Sequence, residues 1–397
     1  MRRYPFIVLA MALLLIAGAE TAEAAEPDDP IDVSSPPDNA RYACVPSLMW
    51  RNPALCPNYG PGRAAYRVSS IQLSHPLPEL PVKEFESDET EDILPHKYAF
   101  VKTLPLNVYK HPMEAAIGLP PVRTLLGGDW WVSLDGRVEY EGQVWYQINR
   151  DEFAPAEALA LAGASRFQGV YLNEQPQHPF AWTNRWVQPA HLPQGEANTT
   201  VEPRNRYELI TIFSEERRGD ELWYLIGPDQ WIEQKTVSRV DVDPPPEGVP
   251  DHVKWIEVDL FEQTIAAYEG RRMVYATMIS SGRDGTTTPP GLYTVWAKIR
   301  EGKMSHPDVE DGDPRFYYIE DVPWTLYFHE GYSIHAAFWH DAFGFTRSHG
   351  CVNLTPRDAR WIFNWANPQI SDGTDRYYIG DGGSTTWVWV HFTSPFE

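Results

Sequence analysis

Short apolar segments separated by Gly, Pro or Asp fill the chain from Lys97 onward, and this spacing constrains the fold more than any other feature. Segments of this kind that are rich in Val, Ile, Tyr and Trp are typical of β-strands. The 397 residues include 36 Pro, which interrupts helices and central strands alike. We therefore predict a mainly β protein. The predicted strands are Tyr98–Val101, Trp130–Ser133, Val144–Ile148, Leu209–Phe213, Leu222–Ile226, Trp231–Glu233, Trp255–Leu260, Ile265–Tyr268, Met273–Ile279, Gly291–Ile299, Thr325–Phe328, Ser333–Ala336 and Thr386–Phe392.

The formal net charge of the chain argues against two classes of partner, nucleic acids and anionic membranes. Lys and Arg number 33 against 55 Asp and Glu, which gives a formal net charge of −22. Binding to nucleic acid depends on clustered basic residues, and so does docking on an anionic membrane. We predict no nucleic-acid partner and no contact with a membrane beyond an export signal.

The amino terminus has the pattern of an export signal. Arg2 and Arg3 precede an apolar run from Phe6 to Ala19, which is shorter than the ~20 residues of a membrane span. Small residues follow at Ala22 and Ala24. We predict a signal peptide over 1–24 and an exported protein of the cell envelope, in the periplasm or cell wall. An uncleaved membrane anchor is the alternative, and it also leaves the rest of the chain outside the cytoplasm.

Four further segments are predicted along the chain. Residues 25–96 are rich in Pro and acidic side chains and are expected to be loosely ordered. Residues 97–240 carry short strands, and the sequence DVDPPPEGVP at 241–250 predicts a stiff linker. Residues 251–397 form the last domain, which is expected to be mainly β with one helix.

That helix is marked by its first turn. Thr355 suits the N-cap, Pro356 the first helical position, and Asp358 the positive end of the helix. The apolar residues that follow have helical spacing and lie on one face: Ala359, Ile362, Phe363 and Ala366.

A local repeat occurs in 97–240. The segment Gly142–Ile148 resembles Gly219–Ile226, with Trp145 and Trp223 separated by 78 residues. The region is similar to a duplicated SH3-like β-barrel, a module that binds wall polymers or acts as a spacer. Ordinary core packing of a Trp-Tyr pair on a strand is the alternative.

The chain contains three cysteines, Cys44, Cys56 and Cys351. Thiols of exported proteins tend to pair, and a disulfide between Cys44 and Cys56 is a candidate. Cys351 is then left over, either as a buried inert thiol or as a reactive one.

The sequence around Cys351 favours the reactive thiol. His335, His340 and His349 are close in sequence, and an imidazole can accept the proton of a thiol to give the nucleophilic thiolate. Gly350 permits a tight turn whose N–H groups can face an oxyanion. These residues fit no common zinc spacing, so we predict no metal. His349 is an alternative base.

The motif from Ser348 to Asn353, SHGCVN, with His335 thirteen residues before Ser348, resembles the signature of the L,D-transpeptidases, whose catalytic domain is called YkuD-like. The segments Ile256–Leu260, Ser280–Gly282 and Thr288–Tyr293 match in order. The resemblance covers about 251–393 and implies a β-sandwich of the L,D-transpeptidase type with one marked helix, preceded by the SH3-like modules.

The resemblance also implies roles for individual residues. Cys351 would be the nucleophile and His335 the general base and acid, oriented by the carbonyl of Ala336, a position that is commonly Gly in the family. The oxyanion hole and the shape of the site would come from Gly350, His349, Ser348 and Asn353, with N–H groups of Gly350 and Cys351 as donors. The substrate would be flanked by Trp339, Tyr317, Tyr318 and a mobile lid over Met304–Tyr318.

The implied reaction is the formation of 3→3 cross-links between peptidoglycan stem peptides through a cysteine thioester, without a cofactor. The implied partners are a donor tetrapeptide, an acceptor amine and, as an inhibitor, a carbapenem that acylates the cysteine. Two alternatives stay open. One is an L,D-carboxypeptidase that uses the same site, and the other is a wall-binding protein with an inactive catalytic domain.

Overall fold

The computed structural model describes residues 77, 79–83, 94–306, 308–380 and 383–393. The predicted signal peptide, Cys44, Cys56 and most of the segment 25–96 lie outside the described residues. All of the described residues belong to one unit, 43–397.

The first module comprises residues 97–161 and is preceded by a two-residue strand. Its elements alternate short strands with tight turns, as the Gly and Pro spacing predicts. The elements are β1 (Val82–Lys83), β2 (Lys97–Val101), β3 (Leu106–Val108), helix α1 (Pro112–Ala116), β4 (Arg123–Leu125), β5 (Asp129–Leu134), β6 (Gly136–Tyr140), β7 (Gln143–Ile148), β8 (Glu152–Pro155), a 3₁₀ turn (Ala156–Ala158) and β9 (Leu159–Leu161).

The second module comprises residues 180–240, and one strand lies between the modules. The elements are β10 (Val170–Leu172), β11 (Phe180–Thr183), β12 (Leu209–Thr211), β13 (Ser214–Arg218), β14 (Glu221–Gly227), β15 (Gln230–Glu233), a 3₁₀ turn (Gln234–Thr236) and β16 (Val237–Val240).

The two modules repeat one order of elements. In each, three consecutive antiparallel strands (β6 to β8, or β13 to β15) lead into the 3₁₀ turn and a last strand. That last strand pairs with the first strand of its module, β9 with β2 and β16 with β11. The resemblance to SH3-like barrels stays a prediction.

The C-terminal part of the chain supplies ten strands and one longer helix to the described structure. The elements are β17 (Lys254–Asp259), β18 (Thr264–Glu269), β19 (Arg272–Met278), β20 (Gly291–Thr294), β21 (Ala297–Ser305), β22 (Tyr317–His329), β23 (Tyr332–Ala336), β24 (Val352–Leu354), helix α2 (Pro356–Trp365), β25 (Arg376–Tyr378) and β26 (Trp387–His391).

These strands form two sheets with a shared core. One sheet has the order β1-β10-β19-β18-β17-β26-β20, and the other has the order β24-β23-β22-β5-β2-β9, with β21 and β25 added at β22. Ile256 and Val258 of the first sheet pack with Leu326 of the second, and α2 adds Ile362 and Phe363 to the same cluster. The prediction of a mainly β fold with one marked helix is confirmed.

Helix α2 begins as its sequence predicts. The Thr355 hydroxyl accepts a hydrogen bond from the Asp358 N–H, and Pro356 occupies the first turn. At ten residues α2 is the longest helix that the structure describes, and no described helix is long and apolar enough to cross a membrane.

The predicted linker at 241–250 lies between the second module and the C-terminal strands in sequence. In the structure, however, both modules contact the C-terminal strands. Strand β5 of the first module pairs in parallel with β22, through Tyr317 opposite Asp129. Trp182 of the second module and Trp255 of the C-terminal sheet lie in one buried cluster with Val249. The modules are therefore packed directly on the sheets that carry the site.

Candidate active site

His335 lies on β23, and Cys351 directly precedes the neighbouring parallel strand β24. In the register of β23 and β24, His335 is opposite Asn353 and Ile334 is opposite Val352. Cys351 immediately precedes β24, so the same register places it opposite Ser333. Side chains two residues apart on a strand share a face, which puts Ser333 and His335 on one side of β23.

The Cys351 sulfur lies in a half-buried position with two polar neighbours. The Ser333 Oγ is 3.6 Å from the Sγ, and the Gly331 carbonyl oxygen is 4.0 Å away. Burial raises the pKa of the Cys351 thiol, and hydrogen bonding from the Ser333 side chain and backbone opposes that shift. Ser333 is thus the described group that favours the thiolate.

His335 is buried, with 2% of its surface exposed. Its Nδ1 lies 3.0 Å from the carbonyl oxygen of Ala336. A carbonyl only accepts, so Nδ1 carries the proton and Nε2 is the basic nitrogen. Burial lowers the pKa of His335 to about 4, with the Ala336 hydrogen bond opposing this shift. The imidazole is therefore neutral at pH 7, and Trp339 stacks on it at 5.8 Å between ring centroids.

A tight turn over Ser348–Gly350 precedes the cysteine. Gly350 has φ +123, and a Cβ atom there would approach the Tyr332 ring to 2.4 Å, so only glycine fits. The Gly350 N–H donates to the Ser348 Oγ at 3.0 Å. This donor, which the sequence assigned to the oxyanion hole, is therefore already engaged. Of the two N–H groups predicted to form the oxyanion hole, the one of Cys351 is not used by this hydrogen bond.

A loop over 280–288 holds the turn in place. Ser280 and Asn353 exchange two backbone hydrogen bonds of 3.0 Å, and the Ser281 carbonyl accepts from the N–H of Ser348 at 2.9 Å. The Thr288 hydroxyl donates to the Gly350 carbonyl at 2.8 Å. This loop connects two of the segments that match the family in order, Ser280–Gly282 and Thr288–Tyr293, and it supports the backbone next to Cys351.

His349 is exposed and has a different environment from His335. Arg283 donates to its Nε2 at 2.8 Å, and Tyr317 stacks on its ring at 5.1 Å. Desolvation and the Arg283 charge lower the pKa of His349. Because Nε2 already accepts a hydrogen bond, His349 is poorly suited to take the thiol proton.

Tyr317 and Tyr318 point to different parts of the molecule. Tyr317 stacks on His349 as described, and burial together with the Cys351 charge raises its pKa to about 12. Tyr318 packs on Trp130 of the first module, 4.7 Å between ring centroids. Tyr318 therefore faces the first module while Tyr317 faces His349, because adjacent residues on a strand face opposite ways. The assignment of Tyr318 to the substrate side stays a prediction.

The predicted lid is held by the first module. Asp311 accepts hydrogen bonds from the N–H groups of Leu126 and Gly127, at 2.9 and 3.0 Å. The Phe316 ring packs on Trp130 at 5.2 Å. Both ends of the segment belong to strands, β21 and β22. These contacts tie Asp311 and Phe316 of the segment to the first module. The mobility of the segment stays a prediction.

Asn353, which is opposite His335 in the strand register, contacts a second histidine, His340. It is 3% exposed, and one end of its amide is 3.0 Å from the His340 Nε2. The Ala342 N–H donates to the His340 Nδ1, and burial lowers the pKa of His340 to about 4. A neutral His340 must then donate from Nε2, so the amide oxygen of Asn353 is the chemically suitable partner.

Sequence reasoning missed Ser333, Arg283 and this role of His340. Strand alternation could have found Ser333, because it stands two residues before His335 in a predicted strand. Arg283 lies 66 residues before His349 in sequence, and the contact of His340 with Asn353 depends on packing that the motif does not specify. Among the described residues, no group of three or more His, Cys, Asp or Glu side chains is arranged to hold a metal ion.

The pair predicts a steep pH dependence of thiol reactivity. A thiol with a raised pKa is mostly protonated at pH 7, so alkylation of Cys351 by iodoacetamide should accelerate ~tenfold per pH unit from pH 6 to 8. Peptide mass spectrometry of the modified chain measures the rate, with a free cysteine peptide as reference. A rate that is flat over this range would instead indicate a preformed thiolate–imidazolium pair.

The family model of the L,D-transpeptidase catalytic domain, YkuD, matches residues 253–388. The protein YciB of Bacillus subtilis is 28% identical over 138 residues, which are 28% of this chain and 59% of that protein. The L,D-transpeptidase 2 of Mycobacterium tuberculosis is 36% identical over 90 residues, which are 21% of this chain and 22% of that protein. The chain thus spans less than two thirds of the length of each of these relatives.

Solved structures of L,D-transpeptidases are similar to part of the chain. The Enterococcus faecium L,D-transpeptidase aligns with 25% identity over 35% of this chain and 50% of that chain, with a TM-score of 0.27. A Mycobacterium smegmatis L,D-transpeptidase aligns over 58% of this chain and 94% of that chain, with 16% identity and a TM-score of 0.29.

Proposed function

We propose that residues 251–397 act as an L,D-transpeptidase that cross-links peptidoglycan stem peptides through a thioester on Cys351. The observation that carries the proposal is the arrangement of the Cys351 thiol and the neutral His335 on adjacent strands, on a segment that matches the YkuD family model. The substrate is a stem tetrapeptide with a diamino acid at its third position.

In the first step, the Cys351 sulfur attacks the carbonyl carbon of the third residue, which is joined by an amide bond to the terminal D-Ala. His335 Nε2 accepts the thiol proton as the C–S bond forms, and the Cys351 N–H stabilises the oxyanion. The C–N bond then breaks, and the imidazolium returns the proton to the leaving amine of D-Ala. The product is a thioester that retains the tripeptide.

In the second step, the side-chain amine of the third residue of another stem attacks the thioester carbonyl. His335 accepts a proton from that amine and returns it to the Cys351 sulfur as the C–S bond breaks. An amide joins the third residues of the two stems. The thiol, the imidazole and the backbone donor account for both steps without a cofactor.

Export to the cell envelope is part of the proposal. The substrate class lies outside the cytoplasm, which agrees with the signal peptide predicted over 1–24. Carbapenem acylation is proposed for the same sulfur, because attack on a strained lactam carbonyl needs the same nucleophile and the same proton transfer.

Product analysis tests the reaction directly. Incubation with disaccharide tetrapeptides, followed by mass spectrometry, is expected to give dimers that have lost one D-Ala. Tripeptide monomers alone would make the enzyme an L,D-carboxypeptidase and would overturn the cross-linking proposal. Unchanged tetrapeptides together with retention of the protein on purified peptidoglycan would favour a wall-binding protein.

The identity of the base gives a separate prediction. His335→Gln is expected to lower kcat by roughly 10²- to 10⁴-fold, because the general base is lost. His349→Gln, the matched control, is expected to change kcat less than ~tenfold, since its Nε2 is engaged by Arg283. Steady-state release of D-Ala measures both. A loss in His349→Gln as large as that in His335→Gln would move the base to His349.

A further inference from the structure

Residues 341–347 lead directly into the turn that precedes Cys351. The Ser280 hydroxyl donates to the Phe345 carbonyl of this segment at 2.6 Å. Ser280 also exchanges two backbone hydrogen bonds with Asn353, on the strand that begins directly after Cys351. One side of the segment 341–347 is therefore joined to the backbone that carries the nucleophile.

The other side of the segment 341–347 lies against the second module. The Tyr207 hydroxyl donates to the Asp341 carboxylate at 2.8 Å and lies 3.1 Å from the carbonyl oxygen of the same residue. The Arg206 guanidinium donates to the Phe343 carbonyl at 3.3 Å. The second module thus supplies hydrogen-bond donors to the first half of the segment.

The close packing of Gly344 adds to these hydrogen bonds. It has φ +89, and a Cβ atom there would lie 3.1 Å from the Asn184 Cβ and 3.2 Å from the Ser238 Oγ, both in the second module. The neighbouring Phe343 is fully buried in one cluster with Trp182, which is also in the second module. The position of the segment is therefore set by the second module as well as by the C-terminal sheets.

The segment reaches the candidate active site through His340. The Ala342 N–H donates to the His340 Nδ1 at 3.2 Å, and the Phe343 ring is 5.0 Å from the His340 ring between centroids. The His340 Nε2 is in turn 3.0 Å from the amide of Asn353, which is opposite His335 in the strand register. A continuous series of contacts therefore leads from the second module to the strand that follows the nucleophile.

Tyr207 is placed so that its hydroxyl stays on Asp341. The Tyr207 ring stacks on Phe167 at 4.5 Å, and the Arg206 guanidinium lies 4.2 Å from the ring centroid. Burial, together with the hydrogen bond to Asp341, raises the pKa of Tyr207, so its hydroxyl remains protonated and can donate. A hydrogen bond to a carboxylate is stronger than one between neutral groups.

We propose that Tyr207 is a positioning residue for the Cys351 site, so that the second module takes part in the reaction and is more than a spacer. By holding the segment 341–347, Tyr207 keeps His340 on Asn353 and keeps the turn before Cys351 in place. This role rests on the proposed function where turnover is concerned, but its effect on the access of water to the Cys351 sulfur does not.

The test compares Tyr207→Phe with Tyr98→Phe in the full chain. Each variant removes one tyrosine hydroxyl that joins a module to the C-terminal strands, since Tyr98 donates to the Asp321 carbonyl at 2.7 Å. Steady-state release of D-Ala from a disaccharide tetrapeptide gives kcat and KM. Tyr207→Phe is expected to lower kcat about tenfold at a nearly constant KM, because fewer molecules hold the reacting groups in place. Tyr98→Phe should leave both constants within about twofold. Equal changes in the two variants would overturn the proposal.

Alkylation of Cys351 by iodoacetamide at pH 7 tests the same role without the enzymatic reaction. A looser turn admits water to the sulfur, and burial is what raises the pKa of this thiol. Alkylation should therefore be about threefold faster in Tyr207→Phe and unchanged in Tyr98→Phe. An unchanged rate in Tyr207→Phe would overturn the proposal. If the unmodified chain releases no D-Ala, the proposed function is wrong, and the alkylation rates alone decide the role of Tyr207.

A double-variant cycle identifies the contact that matters. Asp341→Ala and Tyr207→Phe should each lower kcat about tenfold, and the double variant should lose little more than either, because both act through one hydrogen bond. Losses that multiply to about a hundredfold would refute the proposal. Asp341 is exposed, so if Tyr207→Phe does not fold, Asp341→Ala replaces it and must show both the lower kcat and the faster alkylation.

Discussion

Cys351→Ala is expected to lower the formation of cross-linked dimers by roughly 10⁴-fold or more, because the reaction loses the atom that becomes acylated. Of the described residues, Cys351 is the free cysteine. Its sulfur makes two long polar contacts, to Ser333 and Gly331, so its removal should leave the melting temperature within a few degrees. Product yield by mass spectrometry and thermal unfolding measure the two effects.

The matched control uses the other two cysteines. The double variant Cys44→Ala and Cys56→Ala is expected to retain dimer formation within ~twofold, since neither residue takes part in the proposed chemistry. Dimer formation that survives in Cys351→Ala but disappears in the double variant would place the nucleophile outside the C-terminal sheets.

Lys298→Met is expected to destabilise the fold by about 3 kcal/mol and to lower the melting temperature by about 6 to 12 °C. Lys298 is fully buried on β21, and its Nζ donates to the carbonyls of Phe363, Ala366 and Pro368 at 2.6 to 2.9 Å. These carbonyls lie in and just after the end of α2, where a helix has no intrahelical donors left. Methionine fills the volume but leaves all three acceptors buried without a donor.

A pH series distinguishes this account from a simple loss of packing. Desolvation lowers the pKa of Lys298 to about 7. Between that value and ~10.4 the unfolded chain binds more protons at this residue than the folded chain, so its contribution to stability rises with pH. That rise should disappear in Lys298→Met. The control Lys303→Met removes an exposed lysine from the same strand and should cost less than ~0.5 kcal/mol. Equal losses in both variants would contradict the capping role.

Local sequence rules predicted much of this architecture. The cap of α2 follows from Thr355 and Pro356, whose preferences act over one turn. The strands around Trp145 and His335 follow from alternation and turn residues. Gly291–Ile299 was predicted as one strand and is two, β20 and β21, because Val295 and Trp296 pair elsewhere, with Thr386 and Tyr327. Such an interruption depends on partners distant in sequence.

Features of the site and of the elements around it divide in the same way, into those set by residues close in sequence and those set by residues far apart. The motif from Ser348 to Asn353 is contiguous, so its turn is readable from the chain. Lys298 gives no local signal of its role as a helix cap, because its acceptors lie more than sixty residues later. The contacts of Asp311 with Leu126 and Gly127 likewise depend on the first module. The composition of the segment Met304–Tyr318 alone predicts a mobile lid.

The mass of the intact protein after brief reaction with a stem tetrapeptide tests the central claim most directly. The account predicts an adduct equal to the tripeptide acyl group, located on Cys351 by digestion, absent from Cys351→Ser as a thioester, and released by an added diamino acid as an amide. A protein that forms the cross-linked product while its Cys351 stays unmodified, or that carries the adduct on another residue, would contradict it.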